Sequence, residues 1–198
     1  MQEKDFNYKG HRNSYTELNE GYFWTITINK WQHLLKSDKN KIIIINSLQW
    51  LVEKELVKIY GFVIMPNHIH LMWEQLSMNG KEFPKNSFEK FTAKTLVEKM
   101  KVSRDTTLKN YAVAAIDRQH NIGNGTRWQA ILVFYQRDGS AKIRLHACPT
   151  SDSGGHLNPM QPHWLLCSNP ADYPFSSALF YEQDIDEFKL LTHFGEVF

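Results

Sequence analysis

The stretch that most constrains this chain is Gly61-Phe62-Val63-Ile64-Met65-Pro66-Asn67-His68-Ile69-His70-Leu71-Met72-Trp73-Glu74. In an extended strand successive side chains point to opposite faces, so His68 and His70 share one face, roughly 6.6 Å apart at about 3.3 Å per residue. Two imidazoles side by side can hold one divalent metal. Ile69, Leu71 and Trp73 then face the other way, into a core. Pro66 and Asn67 break the pattern just before the pair, so the pair opens a strand after a turn, where a ligand can reach it. Two histidines at this spacing also arise as half-buried residues that do no more than satisfy a hydrogen bond, so the flanking residues must decide.

The rest of the chain reads as one mixed domain. A length of 198 residues with 42% hydrophobic content is enough for one compact domain with a sizeable core. Residues 1–20 are a polar lead-in. Tyr22 to Ile28 is rich in β-branched and aromatic residues and predicts a first strand, with Trp24, Ile26 and Ile28 on one face. From about Lys41 to Leu56 the spacing of Ile44, Leu48, Leu51, Val52 and Leu56 predicts an amphipathic helix, although Ile42 to Ile45 alone would suit a strand. Val57 to Ile64 predicts a second strand that turns at Pro66-Asn67 into the histidine strand, 68–74. A second helix is predicted from about Ser87 to Lys101, with Phe88, Leu96 and Met100 inward and Phe91 beside them. Residues 117–127 read as a loop and Ala130 to Tyr135 as strand-like. The order strand, helix, hairpin, helix predicts an α/β (α+β) fold, a ferredoxin-like sandwich with a mainly antiparallel sheet.

Charge and cysteine usage narrow the function classes. Net charge is only +2, so a nucleic-acid site must come from local clustering. The main cluster is Lys81, Lys85, Lys90, Lys94, Lys99, Lys101, Arg104 and Lys109 against Glu82, Glu89, Glu98 and Asp105; such a run is most often a solvated helix face, but with a surplus of about four positive charges expected beside the histidine pair it reads better as a phosphate-contacting surface. Lys85, Lys90, Lys94, Lys101 and Arg104 are the candidate DNA contacts. Only Cys148 and Cys167 are present, with no Cys-x-x-Cys, so neither a disulfide framework nor a cysteine zinc site is supported. A soluble, cytoplasmic protein with no signal peptide and no membrane span is expected.

The block Met65-Pro66-Asn67-His68-Ile69-His70-Leu71-Met72-Trp73 closely resembles the signature of single-tyrosine HUH transposases, the compact enzymes of small insertion sequences and the related REP-associated transposases. Similar segments are Phe134-Tyr135-Gln136-Arg137-Asp138, His156-Leu157-Asn158-Pro159-Met160-Gln161, Asn169-Pro170, Asp172-Tyr173, Ser176-Ser177-Ala178 and Tyr181. The resemblance covers roughly residues 20–138 and 156–195. It implies that His68 and His70 carry a catalytic divalent metal, Mg²⁺ or Mn²⁺, and that single-stranded or hairpin DNA is cut and rejoined without an external energy source through a phosphotyrosine. It also implies a homodimer.

Residues 139–155 depart from that pattern and read as a loop. In relatives the C-terminal motif is Tyr-hydrophobic-His-x-Asn-Pro, and register from His156, Asn158 and Pro159 places the nucleophile at position 154, which is glycine here. The residue four positions on, Asn158, matches a third metal ligand in the superfamily, or is a turn cap before Pro159. Tyr135, Tyr173 and Tyr181 are weak substitutes for the missing phenol. A frame-shifted stretch over 139–155 would account for agreement on both sides and none within. Three readings follow: a transposase-type nuclease and ligase, a DNA-binding module of the same fold without turnover, and an unrelated ferredoxin-like metal-binding protein.

Overall fold

The computed structural model describes residues 17–102, 132–133, 141–142 and 158–196. A central antiparallel sheet is built from β1 (Gly21–Ile28), β2 (Val57–Ile64), β3 (His68–Gln75), β4 (Leu132–Val133) and β5 (Ala141–Lys142). The spatial order is β2-β3-β1-β4, with β5 pairing a second part of β1, and every pairing is antiparallel. With helix α1 (Asp38–Glu53) between β1 and β2 and helix α2 (Pro84–Lys101) between β3 and β4, this is the ferredoxin-like arrangement expected from the order of elements.

Both helices lie against one face of the sheet. Trp24 stacks on Trp73 with ring centroids 5.3 Å apart, and Phe88 of α2 meets both edge-on. Ile26, Ile69 and Leu71 complete that face, and Ile44, Leu48 and Leu51 of α1 close the core with Leu96 and Met100 of α2. Each such side chain contributes about 1.5–3 kcal/mol on full burial. Phe91, expected beside this core, is instead 53% exposed. It lies at the margin of the buried stripe, about 60° round the helix from Phe88, and borders a cleft against Trp50 of α1. Gln75 Oε1 accepts from Lys85 N at 2.9 Å, meeting one of the first-turn N–H groups that Phe83 cannot cap.

A β-bulge keeps β2 in phase. Val57 and Ile59 oppose Gln75 and Trp73, whereas Phe62 and Ile64 oppose Leu71 and Ile69, and the register shift falls between Ile59 and Gly61. One extra residue moves the inward positions from odd to even, so apolar side chains stay on the helix face throughout. Gly61 sits under the C-terminal segment, where an added Cβ would lie 3.3 Å from Ser177 Oγ.

That segment lines the outer edge of β2. Ile64 N donates to Phe175 O at 2.9 Å, Ser177 N to Phe62 O at 2.9 Å, and Phe62 N to Ser177 Oγ at 3.0 Å. Helix α3 (Ala178–Gln183) follows. The expectation of a loop through 139–155 needs one correction: Ala141 and Lys142 pair with Phe23 and Tyr22, because the edge of β1 presents backbone groups that a second chain segment can satisfy. The remainder of 139–155, like residues 1–16, 117–127 and Arg104, lies outside the described residues. No helix among the described residues is long and apolar enough to cross a membrane.

Candidate functional site

His68 and His70 project from β3 on the face opposite α1 and α2, as their parity requires. Their ring centroids are 4.8 Å apart, at 74° to each other. His68 is 9% exposed and His70 intermediate. Cross-strand neighbours on β1 support both: His70 opposes Thr25 and His68 opposes Thr27.

Each imidazole is anchored through Nδ1. His68 Nδ1 lies 2.6 Å from Asn67 Oδ1, and His70 Nδ1 lies 2.8 Å from Thr25 Oγ1. An amide oxygen only accepts, so His68 Nδ1 carries the proton and Nε2 keeps a lone pair. Thr25 can accept from His70 in the same way. Anchoring of one ring nitrogen while the other stays available is the usual support for a metal-binding histidine. Burial, followed by the neighbouring charges of His70 and His163, pushes His68 down to about 4, and burial alone pushes His70 to about 4. Both rings are therefore neutral near pH 7, the form in which imidazole donates to a metal.

The donor set fits a divalent cation but does not complete its coordination. Among the described residues, no group of three or more His, Cys, Asp or Glu side chains is placed to hold a metal. Thr27 Oγ1, across from His68 and 1% exposed, has no hydrogen-bond partner among the described residues. A buried hydroxyl in that state is one that water or a ligand group ordinarily satisfies.

Asn158 opens a 3-10 turn, Asn158–Met160, and its carbonyl accepts from Gln161 N at 3.1 Å. Tyr135 and Gly154 lie outside the described residues, as does His156. Tyr173 is buried, its hydroxyl donates to Ile64 O at 2.7 Å, and burial raises its ionisation well above the ordinary phenol range. Tyr181 donates to Tyr60 O. Both phenols hold the C-terminal segment against β2.

The basic helix is not beside the histidine pair. Lys85 Nζ lies 5.1 Å over the Trp24 ring and 3.9 Å from Glu89, with 16% of its side chain exposed, on the helix face of the sheet. Lys90 pairs with Glu82, and Lys94 and Lys101 are exposed on the same helix. A cleft of about 480 Å³ between α1 and α2, lined by Trp50, Phe91 and Lys94 among others, also lies away from the imidazoles.

Residues missed in the sequence do surround the pair. Trp31, from the turn after β1, places its ring 6.3 Å from His68, and Trp164 places its own at 6.1 Å. Phe23 stacks on His70 at 5.4 Å. The signal available was the run Asn29-Lys30-Trp31-Gln32-His33, an aromatic set among polar residues directly after a strand.

No family model matches the chain, and no curated protein matches it. Among solved structures it is similar to a REP-associated tyrosine transposase bound to a REP hairpin, at 14% identity over 93% of this chain and 93% of that one, with a TM-score of 0.46.

Proposed function

We propose that this chain is a transposase-like DNA-binding protein of the kind that cleaves and rejoins single-stranded or hairpin DNA with a metal and a phosphotyrosine, with strand cleavage impaired by Gly154 at the register of the nucleophile unless Tyr135 supplies the phenol. The observation that carries the reading is the pair of neutral imidazoles, side by side on one strand with each Nδ1 anchored. The long motif around them resembles the signature of single-tyrosine HUH transposases.

His68 and His70 would hold Mg²⁺ or Mn²⁺ through Nε2, with Asn158 as a further oxygen donor, and imidazole favours Mn²⁺. When bound, such an ion offsets negative charge developing on a phosphate oxygen. Asn67 and Thr25 keep the two rings oriented, and Pro66-Asn67 leaves the pair at the start of its strand. The lysines of α2, including Lys94 and Lys101, are left to DNA that reaches the far side of the sheet. Assembly as a homodimer belongs to the same proposal.

A second reading is favoured by Gly154 at the register of the nucleophile. Glycine has no group that can form a phosphate ester, so the same fold would recognise DNA without turnover. A radiolabelled hairpin with Mn²⁺ separates the two. A covalent adduct that survives denaturation, and is lost in the His68→Ala/His70→Ala variant, is expected for the strand-transfer enzyme. A salt-sensitive mobility shift without adduct supports the binding module. Absence of any DNA binding overturns both.

A further inference from the structure

We infer that Trp31 and Trp164 form a stacking clamp for unpaired nucleobases at the His68 end of the imidazole pair. This rests on the reading of that pair as a DNA-phosphate site, but the clamp has observations of its own.

The first is strain. Lys30 and Trp31 have φ of 56° and 55°, two consecutive non-glycine residues in the left-handed region. Each such residue costs on the order of 1–2 kcal/mol and persists only where its surroundings hold it. Here Ile28 N donates to Asn67 O at 2.8 Å, Leu35 N to Pro66 O at 2.9 Å, and Asn67 Nδ2 to Trp31 O at 3.5 Å. The Pro66-Asn67 turn that orients His68 thus also fixes the tryptophan turn.

The second is exposure. The held turn leaves Trp31 55% exposed, although a tryptophan in a fold with this much core could have been buried. On the far stretch of chain, Trp164 N donates to Gln161 O at 2.8 Å, and its ring sits 5.4 Å from His33 and 5.3 Å from His163. Two indoles from segments distant in sequence therefore converge on one imidazole.

The third is charge. Neither 29–37 nor 158–171 contains an acidic residue, and Lys30 and Lys36 are exposed; the flanking acids are Asp38, which pairs with Lys41, and Asp172. Flat aromatic faces in a cationic border suit a ligand with stacking rings and an anionic backbone. A single nucleic-acid strand meets both requirements, and base stacking on an aromatic side chain contributes about 1–3 kcal/mol per base. Paired bases already stack on each other and gain nothing from the clamp.

The test uses fluorescence anisotropy of labelled DNA with the full chain in EDTA, so that no metal takes part. Trp31→Ala and Trp164→Ala are each expected to weaken binding of a short oligothymidylate by roughly 5- to 140-fold, the stacking contribution converted at 1.4 kcal/mol per decade. Trp31→Phe should recover much of the loss, and a blunt duplex of equal length should change less than twofold. Unchanged oligothymidylate affinity in both alanine variants overturns the clamp, as does equal weakening on duplex or no recovery with phenylalanine. Normal stacking-dependent binding without any metal-dependent adduct would count against the strand-transfer reading alone.

Discussion

Asn67 does the most with one side chain. Its Oδ1 sets the tautomer of His68 and its Nδ2 reaches the carbonyl of Trp31. Asn67→Ala should therefore weaken Mn²⁺ binding by about 10- to 100-fold while both imidazoles remain, the usual effect of removing a support behind a metal ligand. Isothermal titration of metal into the purified variant reads this directly. Equal affinity in variant and parent would mean that the histidine holds its orientation without the amide.

Glu89 carries a separate, pH-dependent consequence. Burial raises it from the ordinary carboxyl value to about 7, opposed by Lys85 and Lys90. A folded-state pKa above the unfolded one means that the folded chain binds the proton more tightly. Its stabilising contribution is complete below about pH 4.5 and is lost as pH rises through 7. Glu89→Gln should thus gain stability relative to the parent between pH 5 and pH 8, by at most about 3 kcal/mol at 1.36 kcal/mol per pKa unit. Urea unfolding at the two pH values measures it, and a difference independent of pH would refute the cause.

The elements depend on one another most at the outer edge of β2. Ser177 Oγ accepts from Phe62 N at 3.0 Å and donates to Phe62 O at 3.2 Å, beneath a bulge that keeps Phe62 and Ile64 on the core side. Removing the hydroxyl leaves a buried amide without that acceptor, so Ser177→Ala should lower unfolding free energy by about 1–3 kcal/mol in chemical denaturation. Tyr173 and Gln49 reinforce the same attachment, the first to Ile64 O and the second to Phe188 O at 2.8 Å. The segment around 169–181 thus includes residues that hold the C-terminal chain in place. This also explains why neither Tyr173 nor Tyr181 is poised as a nucleophile.

For the molecule entire, the sheet divides labour between its faces: α1, α2 and the tryptophan-rich core on one, the imidazole pair and its aromatic border on the other. Local periodicity was enough to locate β2 over Val57–Ile64, the histidine strand and the body of each helix, because apolar alternation and helical spacing depend only on near neighbours. Both helices begin three residues before their apolar spacing does, at Asp38 and Pro84 rather than Lys41 and Ser87, since polar first turns carry no apolar signal. The parity that set His68 and His70 opposite Ile69 and Leu71 already implied that helices covering the apolar face would lie away from the histidines. The basic helix α2, expected beside the pair, accordingly lies across the sheet from it.

The chain's own residues determined which side chains share a face of β3, that two imidazoles stand together there, and that the elements alternate as a ferredoxin-like sandwich requires. Tertiary structure alone decided that Trp31 and Trp164 meet at His68, that Asn67 serves both the histidine and the tryptophan turn, and that the C-terminal segment joins β2. The physical reason is range: a strand's two faces follow from adjacent residues, whereas contacts between segments far apart in sequence exist only once the chain has closed and packed.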